Sequence, residues 1–110
     1  MKVEQKGHTT TIRNTQGSSA EFYQKLSHEY ASYKSQNLII DLSPDKTLTM
    51  NDVKLFLDLS NTHSKGKKSL VIVTNTINLN NVPAKLIVVP SILEAHDIIE
   101  MEEIERDLGF

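Results

Sequence analysis

Cysteine is missing from this chain of 110 residues, and that absence alone removes a disulfide framework and every thiolate zinc site. A reducing cytosol therefore suits it. Long apolar runs are missing as well. The longest, such as LIVV at 86–89, fall far short of the roughly 20 residues a membrane-spanning helix needs, and the leading MKVEQKGHTTT has no apolar segment of the kind that directs secretion. We expect a cytoplasmic protein without membrane contact. There is no basic excess either: the net charge is −2, which argues against nucleic acid as a partner. A glycine-rich phosphate cradle is lacking, and so is any pairing of nucleophile with base. The sequence assigns no catalytic residue, no metal ligand and no cofactor, and the expectation is a protein that is not an enzyme.

What is present is one domain's worth of alternating strand and helix patterns over residues 1–110. Val3 to Lys6 and His8 to Arg13 read as a hairpin around Gly7, the second strand marked by β-branched threonines. Ser18 and Ser19 offer N-caps, and Phe22, Leu26 and Tyr30 recur at four-residue spacing, predicting a helix up to about Lys34. Leu38, Ile39, Ile40 and Leu42 form a nearly unbroken apolar run, the pattern of a strand covered on both faces. Thr49 followed by Asp52 predicts a capping box, after which Val53, Phe56, Leu57 and Ser60 trace one helix side, broadened by Leu55 and Leu59. Gly66 supplies a stop. Leu70 to Val73 and Leu86 to Val89 are further strands, joined through an asparagine-rich loop at 75–83. Ser91 caps a terminal helix, about 91–108, whose apolar side is read as Leu93, Ala95, Ile98, Ile99, Ile104 and Leu108. Strands separated by helices imply right-handed crossovers, so the expected fold is α/β: a mixed sheet of about five strands, an N-terminal hairpin followed by parallel strands, with about three helices.

The order of hairpin, helix and Ile39-Ile40-Asp41-Leu42-Ser43, then the helix from Thr49 into KGKKSLVIV and the late VVPSILEAHDII, resembles the STAS domains, the anti-sigma factor antagonist and sulfate-transporter module. The likeness covers most of the chain. It implies a regulatory protein-interaction module whose partner meets the loop at the start of the second helix, here Pro44, Asp45, Thr47, Thr49, Met50, Asn51 and Asp52. In the family this loop reads aspartate, serine, serine or threonine, glycine, leucine, with a hydroxyl that a kinase phosphorylates. Thr49, Met50, Asn51, Asp52 and Val53 stand at those positions. Asparagine cannot accept a phosphoryl group, so the charge switch at a helix N-terminus is not available at Asn51. Thr47 and Thr49 are the neighbouring hydroxyls.

The LIVVP and EAHDIIEMEEIERDLGF elements also resemble short bacterial proteins sometimes labelled ribonuclease Z. That enzyme binds two zinc ions through a histidine and aspartate cluster of HxHxDH type, and the four histidines here have no such spacing. An accessory role beside that enzyme in tRNA 3′ processing is one alternative, and a small-ligand or lipid carrier is another.

Several residues have both a chemical and a structural reading. His96 and Glu100 lie one helical turn apart, but two ligands without a third do not make a metal site. His8, His28 and His63 are isolated and read as surface or partly packed side chains. Lys65, Lys67 and Lys68 follow a helix C-terminus, where lysine favours the negative pole of the dipole. Tyr23, Tyr30 and Tyr33 sit at helical spacing and read as packing. The acidic end is less easily absorbed: residues 91–110 hold seven acids and one arginine, and like charges four apart on a helix repel. Glu100, Glu103, Arg106, Asp107 and Phe110 are therefore a second candidate surface, for a basic partner. The partner is expected to be another protein, with homodimerisation also open.

Overall fold

A run of threonines and a glycine that can turn left-handed start the chain as a hairpin. Strands β1 (Lys2–Lys6) and β2 (Thr9–Arg13) pair antiparallel with Lys6 opposite Thr9, and Gly7 adopts φ 60° between them, a region glycine enters without steric cost. The computed structural model describes residues 1–109. Strands β3 (Asn37–Asp41), β4 (Leu70–Val73) and β5 (Val88–Val89) then add in parallel, giving the order β1-β2-β3-β4-β5. Every residue of β3 and β4 is buried, as a strand covered on both faces demands. The α/β fold with a five-stranded mixed sheet is thus as the sequence predicts.

Alternation along the strands divides the core into two layers. One sheet face presents Ile12, Leu38, Ile40, Leu70 and Ile72 to helices α1 (Ser19–Glu29), α2 (Met50–Lys54) and α3 (Leu57–Lys65), which contribute Phe22, Leu26, Val53, Phe56 and Leu59. The other face presents Ile39, Val71 and Val73 to Ala95 and Ile99 of helix α4 (Ile92–Asp107). Phe56 is fully buried between Phe22 and Tyr23, the latter meeting it edge-on at 5.0 Å. Its replacement by alanine is the kind of change that costs about 3–5 kcal/mol.

Five details depart from the sequence reading. Helix α1 ends at Glu29 and tightens into a 3-10 turn at Tyr30–Ser32 rather than running to Lys34. The helix after Thr49 is broken: Leu55 N donates to Asp52 O and Phe56 N to Val53 O, three-residue bonds that turn Phe56 into the core and leave Leu55 39% exposed. Gly66 does cap α3, but at φ −79°, and Lys67 takes the left-handed conformation at φ 61°. The last strand is reduced to Val88–Val89, which pair with Ile72 and Val73 of β4. The apolar side of α4 is divided: Ala95 and Ile99 are buried and Ile98 half-buried, whereas Leu93, Ile104 and Leu108 face outward.

Candidate functional site

The parallel strands deliver the 42–52 loop at their carboxyl ends, the edge at which open α/β sheets hold their binding sites. Two carboxylates build this loop from beneath. Asp41, buried at the end of β3, accepts from the backbone N–H (3.0 Å) and the hydroxyl (2.6 Å) of Ser43, with the Arg13 Nε 3.6 Å away. Asp45, only 9% exposed, accepts from the Ser19 N–H (3.0 Å) and hydroxyl (2.7 Å) and from the Thr47 N–H (3.0 Å) and hydroxyl (2.8 Å). Burial pushes the Asp45 carboxyl up, but these four hydrogen bonds to its charged form outweigh burial and hold it below its ordinary value. The side chain spans 26 positions of sequence, tying the loop to the start of α1.

Leu48, 6% exposed, plugs the loop into the larger core. Next comes the predicted capping box: Thr49 Oγ1 accepts from the Asp52 N–H at 3.3 Å, while Asp52 Oδ2 accepts from the Thr49 N–H at 3.0 Å. Asp52 also receives the Thr49 hydroxyl at 3.1 Å. Of the seven loop residues proposed from sequence, Pro44, Thr47, Thr49 and Asn51 are exposed and Met50 is half-exposed. Asp52 is half-buried and occupied by the cap. Asp45 belongs to the foundation rather than the surface, and the exposed Lys46 takes its place outside. Both threonine hydroxyls already donate to carboxylates, and Asn51, the second residue of α2, offers an amide to solvent. Such a loop can present hydrogen-bonding groups in a fixed arrangement, but it places no nucleophile beside a base.

The second candidate surface is regrouped. Glu100 and Asp107 are exposed, but Glu103 is half-buried. Arg106 turns inward, donating from Nη1 to Ser69 Oγ at 3.1 Å and from Nη2 to Asn37 Oδ1 at 3.4 Å. It pins the end of α4 to the start of β3 and β4. Phe110 lies outside the described residues. Lys67 and Lys68 share the lining of a cleft of about 480 Å3 with Glu102 and Glu105, with no direct ion pair between them among the described residues.

Of the histidines, His8 and His28 are exposed and His96 is half-buried. His63 is not a surface residue: 1% exposed, it bridges the Tyr30 hydroxyl (Nδ1, 2.6 Å) and the Gln36 carbonyl (Nε2, 2.7 Å). Nε2 must carry the proton to donate to the carbonyl, leaving Nδ1 to accept from tyrosine. Burial lowers its proton affinity, Lys68 and Arg106 add to that, and the Gln36 carbonyl only partly opposes them. The spacing of Phe56, Leu59, Ser60 and His63 on the buried side of α3 is the sequence signal that places this histidine inside. Among the described residues, no three side chains of histidine, aspartate or glutamate converge as metal ligands. Comparison with protein-family models and with curated proteins gives no match to this chain.

Proposed function

We propose that this chain is a non-enzymatic regulatory module of STAS type, working in the cytosol, that binds another protein through the 44–52 loop and the helix it leads into. The observation that carries this reading is the construction of the loop: two buried carboxylates and a reciprocal cap commit eight hydrogen bonds to fixing a segment whose outer side chains, Pro44, Lys46, Thr47 and Asn51, have no reactive chemistry. Preorganisation of this kind lowers the ordering cost of association. The strand order, with a hairpin leading into parallel strands, and the capped helix at the carboxyl edge of β3 support the family reading. Asn51, where the family carries its phosphorylated hydroxyl, makes binding here independent of that switch.

Affinity purification of the tagged chain from its native cell, followed by mass spectrometry, tests the reading. A double variant, Lys46→Glu with Asn51→Lys, alters only exposed positions and leaves Asp41, Asp45 and the cap in place. A protein recovered with the parent and lost with this variant is the expected result. Equal recovery with both forms would remove the loop as the binding surface.

A further inference from the structure

Helix α4 carries apolar side chains on opposite faces, and the fold uses only one of them. Ala95 and Ile99 pack on Ile39, Val71 and Val73. On the far side Leu93, Met101, Ile104 and Leu108 are 73, 58, 58 and 67% exposed. Isolated exposed apolar residues are ordinary. These four, however, share one line at spacings of three, four and eight, together with Asp97, and the line runs about 22 Å along the helix. Sequence periodicity alone assigns three of them to the core. The structure leaves all four exposed.

The borders of this stripe have one sign. At 3.6 residues per turn, Glu94 and Glu105 fall on one side and Glu100 and Asp107 on the other. Among the described residues the ion pairs are Lys2–Glu4 and Arg13–Asp41, so no acid of α4 is neutralised by direct contact. The charge decides between occupants. A second copy docking by a two-fold axis would set acid borders against acid borders, a repulsive juxtaposition, and an anionic lipid surface would meet the same objection. An amphipathic helix with lysine or arginine beside its apolar ridge satisfies both the stripe and its borders. We propose that the outer face of α4 is a docking site for a basic amphipathic helix of another protein. It stands apart from the 44–52 loop, since α4 and α2 cover opposite faces of the sheet.

The test uses the whole chain and a synthetic helix about as long as α4, with leucines at three- and four-residue spacing bordered by lysines. Backbone NMR shifts on titration should fall within residues 93–108, and calorimetry should give one peptide per chain. Met101→Ser with Ile104→Ser, both exposed and therefore compatible with an unchanged melting curve, should weaken binding at least about tenfold. Three results would each overturn the proposal: equal binding of a control peptide in which serine replaces the leucines, unchanged affinity in the double variant, or a dimer of the free chain that the double variant dissociates. The last would assign the stripe to a second copy.

Discussion

At the scale of single residues, Asp45 and His63 carry more of the structure than their positions in sequence suggest, and both respond to pH. Asp45 holds the loop through four donors from Ser19 and Thr47, and its carboxylate is the favoured form. Asp45→Ala leaves those donors without a partner, and we expect it to cost about 2–3 kcal/mol, read as a lower urea midpoint with unchanged slope. A variant within experimental error of the parent would mean that water replaces the carboxylate at no cost. Its depressed pKa means that the folded state binds the proton less readily than the unfolded one. This contribution is therefore intact above the ordinary value of 3.8 and is lost as pH falls below it. His63 acts in a higher window. Its folded pKa also lies below the ordinary 6.5, so the unfolded chain takes up the proton first, and the contribution of this histidine to stability declines as pH falls below that value. Urea midpoints across that window should slope downward for the parent and flatten in His63→Gln, which carries no titrating ring. An identical slope in both proteins would show that another group sets the pH dependence.

Elements show which parts of the fold were legible from sequence and which were not. The hairpin at Gly7, the buried strand at Leu38–Ile40, the Thr49–Asp52 cap and the Ser91 cap were legible because each depends on local chemistry: a left-handed turn, an unbroken apolar run, a side chain reaching three residues forward. The two faces of α4 were not. Apolar residues surround much of that helix, and only the placement of Ala95 and Ile99 over Val71 and Val73 determines which set is covered. The break at Leu55–Phe56 was equally hidden, since neither proline nor glycine marks it and the demand comes from Phe22 and Tyr23 on another element. In the loop, the spacing of Asp45 and Thr47 is an Asx-turn signal, yet the contact with Ser19 that turns Asp45 inward is tertiary. The end of α3 gives a prediction of its own. Glycine stands at 66, where φ is −79°, while Lys67 takes φ 61°, a conformation costing a side chain about 1–2 kcal/mol. Lys67→Gly relieves that strain and gives back part of it through the looser unfolded chain. A net gain of about 0.5–1 kcal/mol is expected, with Lys67→Val, β-branched, moving the melting temperature the opposite way. A loss on glycine substitution would show that the lysine side chain contributes more than its backbone costs.

For the whole molecule, the radius of gyration of 13.0 Å is that of one compact domain of this length, yet its two layers are unequally secured. Helices α1 to α3 close over a cluster of thirteen buried residues on one face, whereas α4 is held by a cluster of five, only two of them its own. The Arg106 bonds to Ser69 and Asn37 add a polar pin at its end. Stability in proteins is distributed in cooperative units, and a unit with few buried contacts opens at a lower free energy than the core. The α4 layer should therefore open while the sheet stays folded. Under native conditions, amide hydrogen exchange should be faster for the central turns of α4 than for Ile39, Ile40, Val71 and Ile72, with low denaturant separating the two sets before they merge at the global transition. Arg106→Ala, which removes the pin without touching either apolar cluster, should accelerate exchange in α4 and leave β3 and β4 at the rate set by global unfolding. Exchange of α4 at the same rate as the strands would mean instead that the acidic helix is welded into one cooperative unit with the sheet, and its outer stripe would then be presented on a surface as rigid as the core.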